Sequence, residues 1–306
     1  MNSRDTPYCG VDKDKISKRS PKLHGDNFET FCYYIRERER IRERKELDYP
    51  RDSWTDDIIL KKYRFTNVRR KDDRVSKWLI ENISENPNLG LSDKIFNTIL
   101  FRAYNKIETA EILRLPWEAC YGAPSRSVAE SIKGYASLHP KYKWYGSAYF
   151  QSGLKGAWVD SYESGNSAGR MLDMLDYVAG ENLDELMLSC ENQQEVFEVI
   201  KTIPGFANFL AYQVFVDLTY IPEFPFTDEE FTVSGPGCNR GINLVFSRRD
   251  GLTDEELIFW LRDNQEVLDL LFKVTVMDLE NCFCEISKYI GFRENPKKRM
   301  RKYNAN

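Results

Sequence analysis

Ile203-Pro204-Gly205-Phe206-Ala207-Asn208-Phe209-Leu210, continuing through Val214, Val216 and Leu218 to Tyr220, decides how this chain is read. Before it, Val196, Phe197 and Ile200 carry the apolar side of one helix. The Pro-Gly pair ends that helix, because proline has no N–H to donate and Gly205 can take the positive φ of a tight turn. A second helix starts at once, with Phe209, Leu210, Val214, Val216 and Leu218 as its apolar positions. The backbone N–H groups at its start have no intrahelical partner and can bind a phosphate oxygen. An ordinary interhelical turn is the plainer reading of the Pro-Gly pair taken alone. Helical spacing recurs on both sides and strands are hard to find, so the fold class is all-α.

The turn resembles the hairpin of helix-hairpin-helix DNA glycosylases, which keep an acidic residue downstream to face a flipped base. That resemblance implies a glycosylase-like helical architecture and places Asp228, followed by Glu229 and Glu230, in the acidic position. Next comes Gly235-Pro236-Gly237-Cys238-Asn239-Arg240-Gly241. Three glycines and a proline in seven residues predict a loop rather than a helix or strand interior. Such a loop would bring Gly235 and Gly237 close to a ligand and present Asn239 and Arg240 to a phosphate or a base.

Composition bounds the function. At 306 residues with 42% hydrophobic side chains, the chain can bury a large core as one domain or two fused lobes. No apolar run reaches the roughly 18 residues of a membrane span, and MNSRDTPYCG lacks the apolar core of a signal peptide, so a cytoplasmic protein with no membrane partner is expected. The net charge of −4 means that any DNA contact comes from local patches. Seven cysteines, with no C-x-x-C and only two histidines, point to reduced thiols and away from zinc.

Working outward, residues 1–25 read as a mobile arm, and a helical DNA-modification region runs from 26 to 303. The first helix starts at Asp26 and buries Phe28, Phe31, Cys32 and Ile35, and its continuation RERERIRERKE reads as a solvated face with internal ion pairs. Between Trp54 and Ser76, polar and aromatic residues interleave; Arg64, Asn67, Arg70 and Asp73 form either a salt-bridge network or a substrate contact. Leu91 to Leu115 has a helical pattern. Trp144-Tyr145-Gly146-Ser147-Ala148-Tyr149-Phe150 is either a stacking wall for a base, with Tyr149 in it, or a core contact around small residues. Thr253-Asp254-Glu255-Glu256 is a capping box, and a last helix over Val274–Tyr289 sets Asp278 and Asn281, then Glu285 and Lys288, on nearby turns. The basic tail from Lys297 to Tyr303 can steer phosphate.

These motifs in this order, Trp54 to Arg74, Tyr145 to Tyr149, Ile203 to Leu218, Gly235 to Gly241 and Glu280 to Tyr289, resemble the phage α-glutamyl/putrescinyl thymine pyrophosphorylases. These amino acid:DNA transferases are related to the helical domain of 5-hydroxymethyluracil DNA kinases. The resemblance covers about residues 26–303, and departs from the pattern at Asn281, where a histidine is expected, and at Ile286 and Ser287. It implies a phage-encoded enzyme in the host cytoplasm that acts on DNA containing activated 5-hydroxymethyluracil. The pyrophosphate on the 5-methylene would be exchanged for an amine or amino acid. No G-x-x-x-x-G-K-[ST] loop is present, so a kinase activity would belong to a partner.

That chemistry needs an extruded base, cations on the leaving group and a base for the amine. Asp228 or Glu230 is the expected general base, and Arg240, with Arg64 and Arg70, the expected cations. Asn67 would read the uracil edge, because a side-chain amide offers a donor and an acceptor side by side. Glu285 and Lys288 would position the amine. A divalent metal ion is the cofactor this chemistry would use, with no ligand set legible in the sequence. Two other readings stand beside this one: a glycosylase using Asp228, and a non-catalytic DNA-binding partner of the kinase.

Overall fold

The computed structural model describes residues 10–118, 134–135, 137–146, 177–178 and 180–295. The chain divides into two compact units, Met1–Asp73 with Asp228–Asn306, and Arg74–Thr227. Among the described residues the secondary structure is helical apart from one two-stranded ribbon. No helix among them is long and apolar enough to cross a membrane.

The first unit opens with α1 (Lys13–Ser17), β1 (Lys22–Leu23), α2 (Gly25–Glu46) and α3 (Ile58–Lys62). The expectation of a mobile arm through residue 25 is corrected from Asp12 onward. Asp12 caps α1 by accepting from the Lys15 N–H, Ile16 is 2% exposed, and Lys15 pairs with Glu256 at 2.6 Å. One buried apolar side chain and one ion pair to a distant helix are enough to dock a segment whose composition looks unstructured. The charged run of α2 is likewise not all solvated. Arg40 and Arg42 do make the expected intrahelical pairs with Glu37 and Glu39. Glu37, Arg38 and Glu39, however, are buried under residues 55–73, with Arg38 donating to the carbonyls of Phe65 and Thr66 and Glu37 accepting from the Thr55 hydroxyl.

The second unit contains α4 (Arg74–Leu79), α5 (Leu91–Tyr104), α6 (Ile107–Leu113), α7 (Leu183–Leu188), α8 (Gln193–Lys201) and α9 (Asn208–Leu218). The single helix expected over Leu91–Leu115 is broken at Asn105, which is left-handed (φ 49°) and accepts from Arg102 Nη1 at 2.8 Å. The turn between α8 and α9 has the expected form: Gly205 has φ 87° and the Phe206 N–H donates to the Ile203 carbonyl at 2.9 Å. Leu210, Val214, Val216 and Leu218 are buried, whereas Phe209 is 54% exposed. Asp217, in the middle of this apolar helix, meets the equally enclosed Arg102 in a two-pronged ion pair that ties α9 to α5. Trp144 is buried and Gly146 donates to the Tyr104 carbonyl at 2.7 Å. At its described end, then, the aromatic run is a core contact. Tyr149 lies outside the described residues.

The first unit resumes with α10 (Pro236–Val245), β2 (Phe246–Arg248), α11 (Asp254–Asp263) and α12 (Val276–Glu294). β2 pairs antiparallel with β1, and the capping box at Thr253 and Glu256 is formed as expected. The Gly-Pro-Gly stretch is not a loop, and this is the main correction to the sequence reading. Gly235 is the N-cap and Pro236 the first residue of α10. Proline suits that position, because a first-turn N–H has no intrahelical acceptor to lose. The glycines serve packing: a Cβ on Gly237 would lie 2.5 Å from Cys284 Sγ, and one on Gly241 would overlap the Phe283 carbonyl. The bare face of α10 therefore seats directly on α12. α2, α3, α11 and the turn Arg70–Asp72 pack on α12 as well. Phe283 of α12 stacks on Phe31 at 4.9 Å, and Phe292 on Tyr63 at 4.4 Å. Each such ring contributes roughly 1.5–3 kcal/mol by leaving water.

Candidate functional site

The first turn of α12 is assembled around Asp278. Thr275 caps the helix by accepting from the Asp278 N–H at 3.1 Å, and Asp278 accepts in return from the Thr275 N–H at 3.1 Å. The other oxygen of Asp278 accepts from the Arg70 N–H at 2.9 Å, which fastens the turn Arg70–Asp72 to the helix. Burial pushes the Asp278 carboxyl up to about 7, overriding those N–H bonds, and the negative charge of Asp228 adds to the rise. Asp228 is half-buried and is itself raised by burial, against the pull of Lys71 and the Thr275 hydroxyl. Glu229 is raised by burial and by Asp228, and is held by Arg262.

Two residues further along α12, Glu280 faces the start of α10. A Cβ built on Gly235 would lie 3.9 Å from Glu280 Oε1, so this carboxyl sits beside the helix start. Burial pushes Glu280 up to about 7, while Arg70 and Lys288 oppose the shift and Glu285 favours it. Glu280 lies deep in the fold yet keeps part of its surface open, as Asp228 and Cys284 do. Burial lifts the Cys284 thiol to about 11, with Lys288 and Arg240 among the charges acting on it, so Arg240 stands within electrostatic range of this same place. The Arg240 side chain is exposed and makes no ion pair or hydrogen bond with the described residues. Arg240 is therefore not paired with Asp228 among the described residues.

The first unit gathers Asp228, Glu230, Arg240, Glu285, Lys288, Arg70, Gly235 and Gly237, although several stand in roles other than those expected. Glu230 is half-buried. Glu285 is buried and paired with Lys288, one turn on. Arg70 is 6% exposed and bonds Asp73 Oδ2 at 3.0 Å, so it is a cation set in the wall rather than a surface hook. Arg64 is exposed. Asn67 departs from the expectation. Its amide N–H donates to the Asp72 carbonyl at 2.8 Å and its oxygen accepts from Arg38 Nη2 at 3.2 Å, so both ends of the edge proposed to read uracil are engaged inside the fold. Asn281, in turn, accepts from the Thr66 hydroxyl and donates to the Asn67 carbonyl. Asn239 is exposed but donates to Asp254 Oδ2 at 2.7 Å, and so belongs to the link between α10 and α11. Gly205 lies in the second unit.

The sequence reading missed Glu280. Nothing about its type or spacing separates it from the other acids of this acid-rich chain, and only the seating of α10 on Cys284 shows what it faces. Among the described residues no group of three or more His, Cys, Asp or Glu side chains is arranged to hold a metal ion. A cavity of about 480 Å³ lies beside the far end of α12, over Ile59, Tyr63 and Phe292. Its rim residue Asp57 already accepts from the hydroxyls of Tyr289 at 2.5 Å and Tyr33 at 3.3 Å.

Comparison with known proteins gives two matches. The family described as "5-hmdU DNA kinase, helical domain" matches residues 26–299. A protein named "5-hmdU DNA kinase" from Bacillus phage SP10 is 26% identical over 94% of this chain. The chain spans about half of that relative, 49% of its length. No solved structure matches.

Proposed function

Because this chain belongs to the family of 5-hmdU DNA kinase helical domains, we propose that it acts on 5-hydroxymethyluracil in DNA as a hypermodification transferase. In this reading the base is extruded from the stack, a pyrophosphate on its 5-methylene leaves, and an amine or amino acid takes its place. The observation that supports the reading is the meeting of cations and deep carboxylates where α10 starts against α12. Displacement at the methylene needs positive charge on the departing oxygens and a proton acceptor for the amine. Arg240 and Lys288, with Arg70 in the wall and the first-turn N–H groups of α10, supply the first. The carboxylates supply the second, with Asp228 and Glu230 the expected bases and Asp228 the one whose raised affinity for protons suits the task. The hairpin between α8 and α9, with Gly205 at its turn, would bind phosphates of the DNA backbone.

The test is to incubate the full chain with DNA carrying 5-pyrophosphoryloxymethyluracil and a panel of amines and amino acids, then to weigh the nucleosides. The expected product is the 5-aminomethyl adduct with release of pyrophosphate; abasic sites would instead indicate a glycosylase. A second reading rests on the match to half of a kinase that carries a helical domain: this chain would be a DNA-binding helical partner of a kinase supplied separately. An unchanged base across the panel, together with faster phosphorylation by that kinase, would select it.

A further inference from the structure

From the charge and register of the β1–β2 ribbon, we propose that the first unit holds the phosphate backbone of duplex DNA there, at a contact separate from the hairpin between α8 and α9. The inference rests on the reading that the chain works on DNA, and not on the amine transfer. Lys22 of β1 and Arg248 of β2 are partners across the ladder. Like charges set directly opposite repel and weaken a ribbon. The register also shifts between this pair and the next, Leu23 with Phe246, so that Ser247 is an extra residue in β2. In a regular strand Phe246 and Arg248 would share a face. The bulge turns them apart: Phe246 is buried against Trp260 and Phe283, while Ser247 and Arg248 are exposed. Ser247 fastens the bulge by donating to the carbonyls of Lys22 at 3.1 Å and Leu23 at 3.3 Å. The ribbon is thus built to turn one cation outward beside another.

Arg248 Nη2 donates to the Ser20 carbonyl at 3.1 Å, which brings its guanidinium to the segment that carries Lys18 and Arg19. Lys18, Arg19 and Lys22 are exposed, and their side chains make no ion pair or hydrogen bond with the described residues. Asp250 is the acid among them, accepting from the Ser20 N–H at 2.9 Å and standing 4.0 Å from Arg248. Arg249 is taken by Asp254 and Asn243. The acids next in sequence, Asp14 and Asp26, stand in the first turns of α1 and α2, so the surplus is confined to the ribbon and the segment before it. Such a surplus on a chain of net charge −4 calls for an anionic partner. The surroundings choose which one. None of the exposed large apolar side chains of the described residues lies within 18–24 or 246–250. A protein interface has an apolar centre and a membrane-bound element inserts an apolar face, whereas a DNA interface is polar and positive. Antiparallel partners stand about 5 Å apart, so one phosphate between Lys22 and Arg248 turns their repulsion into two attractions. α10 runs directly into β2, and Arg240 lies roughly 9 Å back along that helix, close enough for one duplex to lie on both.

The test titrates the full chain with a short labelled duplex, in one version with thymine and in another with 5-hydroxymethyluracil, between about 50 and about 200 mM salt. Lys22→Gln with Arg248→Gln should weaken binding by about 10-fold or more and lower the slope of log affinity against log salt by about 2. The loss should be equal on both duplexes, because phosphate contacts carry no sequence information. Melting should be no lower than in the wild type, because a repelling pair has been removed. Should that variant melt lower, Lys18→Gln with Arg19→Gln, outside the ladder, decides by the same slope. Wild-type affinity and slope in the variants overturn the inference, as does an equal loss in Lys62→Gln, an exposed cation on α3. Loss of binding to phosphatidylserine vesicles with DNA binding unchanged overturns it in favour of a lipid surface. Ribbon-dependent duplex binding by a chain that transfers no amine leaves the inference standing and defeats the transferase reading. A wild type that binds no duplex even at about 50 mM salt defeats both.

Discussion

Where α5 meets α9, Arg102 and Asp217 are both enclosed, and each supplies what the other needs: two N–H donors against two carboxylate oxygens, with Asn105 taking a third N–H. Where α10 meets α12, Glu280 is half-buried and has no such partner, with Arg70 and Lys288 acting on it only through space. The first crossing has settled its charge. The second holds a carboxyl whose ionisation costs enough to keep its proton to about pH 7. The contrast sets a crossing with a two-pronged ion pair in the second unit beside one with a proton-holding carboxyl in the first.

The largest effect expected from breaking this contrast is at the settled crossing. Arg102→Ala leaves Asp217 buried without its cation and should cost about 3–5 kcal/mol of stability in denaturant unfolding. A loss under about 1 kcal/mol would mean that water reaches the pair and that the enclosure is overstated. Next comes the seating of α10. Gly241→Ala drives a methyl into the Phe283 carbonyl, a backbone atom that cannot swing aside, and should cost about 1–3 kcal/mol or more. Gly237→Ala meets the Cys284 thiol, the end of a side chain, and should cost less. Equal losses at both positions would show that the crossing yields as a whole.

A smaller effect, and one that changes with pH, is expected at the carboxyls. Asp278 and Glu280 hold protons to about 7 when folded, but only to about 4 when unfolded. Between those values the folded protein binds more protons, so their contribution to stability is full below about pH 4 and is lost as pH rises to about 7. Melting curves should therefore show Glu280→Gln more stable than wild type at pH 8 and little different at pH 4. The reverse order would mean that Glu280 is stabilised as an anion.

What was legible in the sequence was legible for local reasons. Thr253 with Glu256 specifies a helix start through two reciprocal hydrogen bonds, and Pro204-Gly205 specifies a turn through backbone geometry. Both signals lie within a few residues. The departures came where meaning is set by a distant partner. Gly235-Pro236-Gly237 has the composition of a loop, and becomes a helix start whose bare face at Gly237 seats on Cys284, far along the chain. Ile16 docks a segment that composition marks as an arm, and Arg38 is turned inward by carbonyls of Phe65 and Thr66. The same limit hid Glu280 while allowing Glu285, Lys288 and Arg240 to be picked out by motif.

The measurement that bears most directly on the central claim is turnover and melting of Arg240→Ala, taken together on 5-pyrophosphoryloxymethyluracil DNA. The Arg240 side chain is exposed and bonds to none of the described residues, so its loss should leave the melting temperature unchanged. If it stabilises the departing pyrophosphate, turnover should drop by about 10²-fold or more. Arg240→Lys should restore part of the rate, because an ammonium keeps the charge but not the planar fork. A normal melting curve with that loss of rate is the predicted result. Activity that survives intact, or that falls only in proportion to a lowered melting temperature, would contradict the account and return the start of α10 to the scaffold.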